Sequence, residues 1–110
     1  MLNIHQKFCR ETFYDGKLVD FKPVYQDNFN FAYDVIDVIA QAEPERRAML
    51  WCNDKGEEHP FTFSDLEKYS NRAANFFTKL GICRGDTVVL IQKRHDAFWI
   101  AMLGLHKVGA

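Results

Sequence analysis

Between Asn28 and Pro44 the apolar residues recur at helical spacing. Phe31, Ala32, Val35, Ile36, Ile39 and Ala42 share one face, and Asp34, Asp37 and Gln41 the other. Asn28 or Asn30 can cap such a helix with its side-chain oxygen, Asp34 lies in the half where the helix dipole favours an acid, and Pro44 stops it near residue 42. The run A-M-L-W-C at 48–52 has strand length, and Asn53-Asp54-Lys55-Gly56 reads as a turn. Residues 57–63 return as a second strand, whose Pro60 belongs at a sheet edge. Residues 64–80 put Leu66, Tyr69, Ala73, Phe76, Phe77 and Leu80 on one helical face. A capping box runs from Ser64 to Glu67, and Gly81 with Ile82 closes the helix. The stretch T-V-V-L-I at 87–91 is β-branched and does not alternate, the pattern of a strand buried on both faces. Asp96 then caps a helix to about Val108 that is apolar nearly all round, which predicts deep burial. Gly104 inside it costs roughly 1 kcal/mol of helix propensity, which close backbone packing can offset. His106 and Lys107 occupy the last turn, where positive charge is favoured, and Gly109 ends the helix.

Residues 1–27 show no sustained period; isolated apolar residues are broken by Gly16 and Pro23. They read as a wrapping arm with one short helix near the start, ahead of a domain portion at 28–110. The chain stops after a strand and a helix that call for a further partner strand, so the sequence is expected to be a fragment.

Composition narrows the function classes. The chain has 110 residues, 14 Lys plus Arg against 15 Asp plus Glu, and 47% apolar residues, which makes it one ordinary globular domain at most. A net charge of −1 offers no basic footprint for nucleic acid and none for an anionic membrane. Ten Phe, four Tyr and two Trp imply a large interior or a surface that something else covers. No apolar signal region occurs in 1–27, and the longest uncharged stretch of the second half, 97–106, is about half a membrane span. Cys9, Cys52 and Cys83 are odd in number and far apart, which points to reduced thiols and a cytoplasmic location.

Individual residues offer chemistry that their surroundings do not support. Arg84-Gly85-Asp86 spells an integrin tripeptide but fits a turn before a strand. Lys93-Arg94-His95-Asp96 sits at the strand-to-helix edge where α/β proteins bind phosphates. It has no glycine to bring backbone amides close, which favours a solvated loop or a domain-interface patch. His5, His59, His95 and His106, with the three cysteines, show no metal-ligand spacing. Ser64 lacks a nucleophile-elbow context and reads as a cap, and Cys83 reads as an ordinary thiol. Phe76, Phe77 and the Trp99 helix could line an acyl pocket; their spacing fits core packing better.

Four segments in order carry a resemblance: Phe61-Thr62-Phe63-Ser64-Asp65-Leu66, Ser70-Asn71-Arg72-Ala73-Ala74, Gly81-Ile82-Cys83-Arg84-Gly85-Asp86-Thr87-Val88, and Leu105-His106-Lys107-Val108-Gly109-Ala110. Together they resemble the opening of AMP-forming acyl-CoA synthetases, members of the adenylate-forming superfamily. The first segment is similar to that superfamily's first core motif and the last to the start of its second. Residues 29–37, with Trp51, Asn53 and Gly56, resemble the medium-chain acyl-CoA synthetase branch, alongside the acetyl-CoA synthetases. The resemblance implies an α/β fold, the N-terminal portion of the large domain: opening helix, β-hairpin, amphipathic helix, buried strand, buried helix. It also implies a ligase that joins a carboxylic acid to coenzyme A, using ATP and Mg²⁺ and releasing AMP and pyrophosphate.

The family's phosphate loop, ribose acid, hinge and C-terminal lysine have no counterpart here, so no catalytic, cofactor-binding or metal residue is assigned. The fragment is expected to be inactive alone, to hold no ATP, Mg²⁺ or coenzyme A, and to self-associate through bared apolar surface. Neither a nucleic acid nor a membrane partner is expected. Acetate, propionate or an aryl acid are alternative substrates. A non-catalytic interaction module, pairing through its strand edge and aromatic surface, is the alternative class.

Overall fold

A computed structural model describes residues 2–110. The chain runs through α1 (His5–Phe8), β1 (Cys9–Tyr14) and β2 (Lys17–Pro23), then a π-helical turn (Ala32–Asp37) continuing into α2 (Val38–Ala42). It goes on through β3 (Arg47–Cys52), β4 (Glu58–Thr62), α3 (Phe63–Lys79) and α4 (Asp96–Val108). The strands form two separate antiparallel hairpins, β1–β2 and β3–β4. The radius of gyration is 16.1 Å, against about 13 Å for a compact domain of this size, because the first hairpin stands away from the body.

The short helix expected near the start is α1, and the hairpin that follows it was not expected. Asp15 and Gly16 both take positive φ, 49° and 70°, the backbone that joins two twisted strands by a two-residue turn. Phe13, Tyr14, Leu18, Val19 and Phe21 are all exposed, so no buried face marks the strands in the sequence.

The second hairpin and three helical pieces share the core. Ala32, Ile36, Leu66 and Leu103 are buried together, with Ala48, Met49, Phe61 and Phe63 packed against them. Asn30 starts the first helical piece: its Oδ1 accepts the Ala32 amide at 3.0 Å, while its own amide donates to Asp34 at 2.7 Å. The turn that follows is π-wound, closing its hydrogen bonds five residues back, and the wider winding brings Asp37 onto the same buried side as Ala32. Asp37 was expected on the polar face.

The start of α3 lies earlier than Ser64. Thr62 is the N-cap, its hydroxyl accepting the Asp65 amide at 3.1 Å while Asp65 accepts the Thr62 amide at 2.9 Å. Thr62 wins because it ends β4 in extended backbone, leaving the Phe63 and Ser64 amides to reach the Arg46 and Pro44 carbonyls. The end of α3 is as read: Gly81 has φ 88°, and the Ile82 and Gly81 amides return to the Phe77 and Thr78 carbonyls. Leu66 is buried on this helix, but Phe76 and Leu80 are exposed, so the core-packing reading of Phe76 is corrected.

Residues 87–91 do not pair. Val89 and Ile91 are 76% and 90% exposed, whereas Val88 and Leu90 are half-buried. A strand needs a neighbour to satisfy its amides, and this segment has none among the described residues. α4 is buried mainly in its C-terminal half: Leu103, Gly104, Leu105 and Lys107 are inside, and Trp99 near its start is 51% exposed. Helices α3 and α4 touch at Gly104, where a Cβ would lie 2.6 Å from Ala73 Cβ and 3.0 Å from the Ala74 nitrogen.

Gly104→Ala therefore forces backbone apart. Overpacking costs about 1–3 kcal/mol, and the gain in helix propensity returns about 1. The expected result is a lower urea midpoint with an unchanged slope; an unchanged or higher midpoint would show that the helices separate freely.

Candidate functional site

Two clusters join chemistry-bearing side chains from distant parts of the chain. The first is centred on Trp51 of β3. His59 faces it across the hairpin, with ring centroids 4.8 Å apart, and His95 stacks on it at 5.8 Å. The indole Nε1–H donates to the Arg94 carbonyl at 2.7 Å. Asp96, the first residue of α4, completes the cluster: its two oxygens lie 3.3 Å from His59 Nδ1 and 3.2 Å from His95 Nδ1, and one also accepts the Ala97 amide. Burial raises the Asp96 carboxyl, but the hydrogen bonds from His95, His59 and the Ala97 amide outweigh it, leaving it below the usual carboxylate value.

This arrangement fastens the β3–β4 hairpin to the N-terminus of α4. It absorbs the 93–96 loop as an internal contact: Arg94 contributes a carbonyl, and His95 and Asp96 are engaged. Asp96 was expected to cap α4; it is instead the first helical residue, after His95, and its carboxylate accepts the Ala97 amide. Sequence spacing did not bring His59 and His95 together, because their proximity depends on the hairpin register that sets His59 opposite Trp51.

The second cluster is buried. Lys107 of α4 is fully enclosed; its Nζ donates to Asp37 at 2.8 Å and to Asn71 of α3 at 2.7 Å, and lies 5.3 Å from the Tyr33 ring centre. The last-turn position where positive charge is favoured also forms an internal ion pair. Just before it, the His106 carbonyl accepts from Asn30 Nδ2 at 2.6 Å, tying the first helical piece to the end of α4.

The other singled-out residues stay apart. Arg84, Gly85 and Asp86 form a turn: Gly85 has φ 87°, its amide reaches the Gly109 carbonyl, and Asp86 accepts the Cys83 amide. The thiols of Cys9, Cys52 and Cys83 are free. Among the described residues no group of three or more His, Cys, Asp or Glu side chains could hold a metal ion, and no helix is long and apolar enough to cross a membrane.

The two clusters tie the helices and the β3–β4 hairpin of this α/β body to one another. Residues 36–110 match the model of the AMP-binding enzyme family, and the chain belongs to that family. Its curated relatives include the Homo sapiens acyl-coenzyme A synthetase ACSM4, mitochondrial, 38% identical over 88 residues, which is 74% of this chain and 15% of that protein. The Homo sapiens ACSM3 synthetase is 33% identical over 102 residues, 87% of this chain and 17% of that protein. The Mus musculus ACSM1 synthetase is 35% identical over 89 residues, 76% of this chain and 16% of that protein. The chain thus spans about one-sixth of the length of these relatives, and its α/β architecture is that of part of an AMP-binding domain. Their names correct the cytoplasmic expectation, since all three are mitochondrial proteins. Unpaired cysteines and the lack of an apolar signal region both argue against secretion alone, so neither singled out the cytoplasm.

Removing one partner of the buried pair leaves an uncompensated charge, so Lys107→Ala is expected to cost about 3–5 kcal/mol in urea unfolding. Asp37→Leu combined with Lys107→Met should recover most of that loss; a double variant as unstable as the single one would show that packing, not charge, sets the cost. The Asp96 contribution has the opposite sign from a basic group. Because its folded value is depressed, it stabilises above the ordinary carboxylate pKa of about 3.9 and is lost as pH falls below it. Stability measured from pH 5 to pH 2 should fall less steeply in Asp96→Asn than in the wild type; parallel curves would contradict this.

Proposed function

We propose that this chain is the N-terminal part of the large domain of an ATP-dependent, AMP-forming acyl-CoA synthetase, acting in the mitochondrion. Residues 1–27 serve as an arm and 28–110 as the start of the synthetase domain. The observation that carries the reading is the coincidence of the family match at 36–110 with the buried ties among Asp37, Asn71, Ala73, Gly104 and Lys107, all inside that span.

In the intact enzyme a carboxylate oxygen attacks the α-phosphorus of ATP and pyrophosphate leaves. The thiolate of coenzyme A then attacks the acyl carbon and AMP leaves. Mg²⁺ would neutralise phosphate charge in the first step. The described residues present no cluster suited to Mg²⁺, and no step of the reaction is assigned to them. Their task is to fix helix and hairpin positions on which the rest of the domain builds, and the chain is inactive alone. The acid is a medium-chain fatty acid; acetate, propionate and aryl acids are the competing substrates.

A second reading, a free-standing interaction module, draws on the exposed and unpaired Val89 and Ile91. One experiment separates the two. The longer protein that carries this segment is incubated with ATP, Mg²⁺, coenzyme A and octanoate, acetate, propionate or benzoate in turn, and AMP is quantified. Octanoate-dependent AMP formation is expected, with none from the 110-residue chain. No acid-dependent AMP from any protein carrying the segment would leave the module reading in its place.

A further inference from the structure

The geometry points to a modification site at the tip of β1–β2. Asp15 and Gly16 close to a succinimide and reopen as isoaspartate, the group that protein isoaspartyl methyltransferases methylate. The site stands apart from the ligase chemistry and holds whichever acid the intact enzyme activates.

Ring closure needs a free acid side chain followed by an unshielded backbone nitrogen. Asp15 is the one aspartate in the chain that precedes a glycine, and no asparagine does. Gly16 has no side chain to crowd its nitrogen, and a Cβ built on it would meet nothing within 4 Å. Among the described residues, neither the Gly16 amide nor the Asp15 carboxylate has a hydrogen-bond or ion-pair partner. The other acids are less free. Asp34, Asp37, Asp65, Asp86 and Asp96 each accept a hydrogen bond. Asp54 precedes Lys55, whose amide is already donated to Asn53 Oδ1 at 3.0 Å.

The hairpin also supplies the motion that the reaction requires. It is a two-stranded sheet on its own, and every residue from Arg10 to Pro23 is exposed. Such a hairpin is marginally stable in water, so its tip opens locally and samples conformations outside the closed turn.

In the open tip the Gly16 nitrogen attacks Cγ of Asp15. The amide proton and the carboxyl hydroxyl leave together as water, and a five-membered ring remains. Water then adds back at either carbonyl. Attack at the side-chain carbonyl restores aspartate; attack at the main-chain carbonyl leaves the chain running through Cγ, with the α-carboxylate free. The second product adds one carbon to the main chain of a two-residue turn. Turn length sets the Tyr14–Lys17 and Phe13–Leu18 pairing, so the isoaspartyl tip loses that register.

The test follows the intact protein that carries this segment through weeks at neutral pH, beside its D15E and D15N variants. Isoaspartate is read by enzymatic methyl transfer from S-adenosylmethionine and located by peptide mass mapping. In the wild type the signal is expected in the peptide holding Asp15 and Gly16, and trypsin should cut after Lys17 faster in aged protein than in fresh. D15E should lose the signal, because glutamate must close a slower six-membered ring. D15N should reach it sooner, because ammonia leaves more readily than water. Both variants sit at an exposed tip without side-chain contacts, so neither should change the fold of the body. Isoaspartate formed at Asp15 only after unfolding in urea, or undiminished in D15E, would overturn the site. Equal trypsin cleavage of aged and fresh protein would overturn the loss of register.

Discussion

One buried ammonium group constrains the rest of the molecule. Taking the Lys107 amine out of water costs several kcal/mol unless each of its protons finds a partner. Asp37 and Asn71 accept two of them, and the Tyr33 ring lies over the group. Those partners come from the π-wound turn and from α3, so α4 has one position and one rotation in which the amine is satisfied. Such a pair adds little net stability over a hydrocarbon of the same shape. Its effect is to penalise every other docking of the three helices.

The remaining contacts are consistent with that single docking. Gly104 removes the side chain that would hold α4 off Ala73, and the Asn30 side chain secures the end of α4 from the other side. At the opposite end of α4, Trp51, His59, His95 and Asp96 lock its first turn to the β3–β4 hairpin. The helix is therefore held at both ends and in the middle. The ties at its two ends differ in character: the tie at Lys107 is buried and charged, and the one at Asp96 is half-exposed and open to titration.

Much of this was legible from local chemistry. Gly81 with Ile82 specified the end of α3, Pro44 the limit of α2, and Gly109 the end of α4, because those signals act within a turn of where they stand. The close approach at Gly104 was legible for the same reason. What escaped the sequence depended on distant partners or on unusual winding. Asp37 sits on the polar face of an ideal α-helix, and only the π-turn brings it inside. Ser64 offered a capping box, and the extended backbone at the end of β4 gave the cap to Thr62 instead. The 87–91 run carries the composition of a buried strand, yet pairing is a property of two segments, and no described neighbour lies beside it. In the arm, Asp15-Gly16 was a hairpin signal masked by strands that bury neither face. The His59–His95 pairing across Asp96 had no linear signature at all.

Lys107 stands 70 residues after the carboxylate it neutralises. In a chain made from the N-terminus forward, Asp37 and Asn71 leave the ribosome first and must wait in water for a cation that does not yet exist. The hairpin and α3 can form early from neighbouring residues, but the helical layer cannot close until the last turn of α4 has emerged. The order of synthesis thus sets the order of assembly, with the most exacting contact made last.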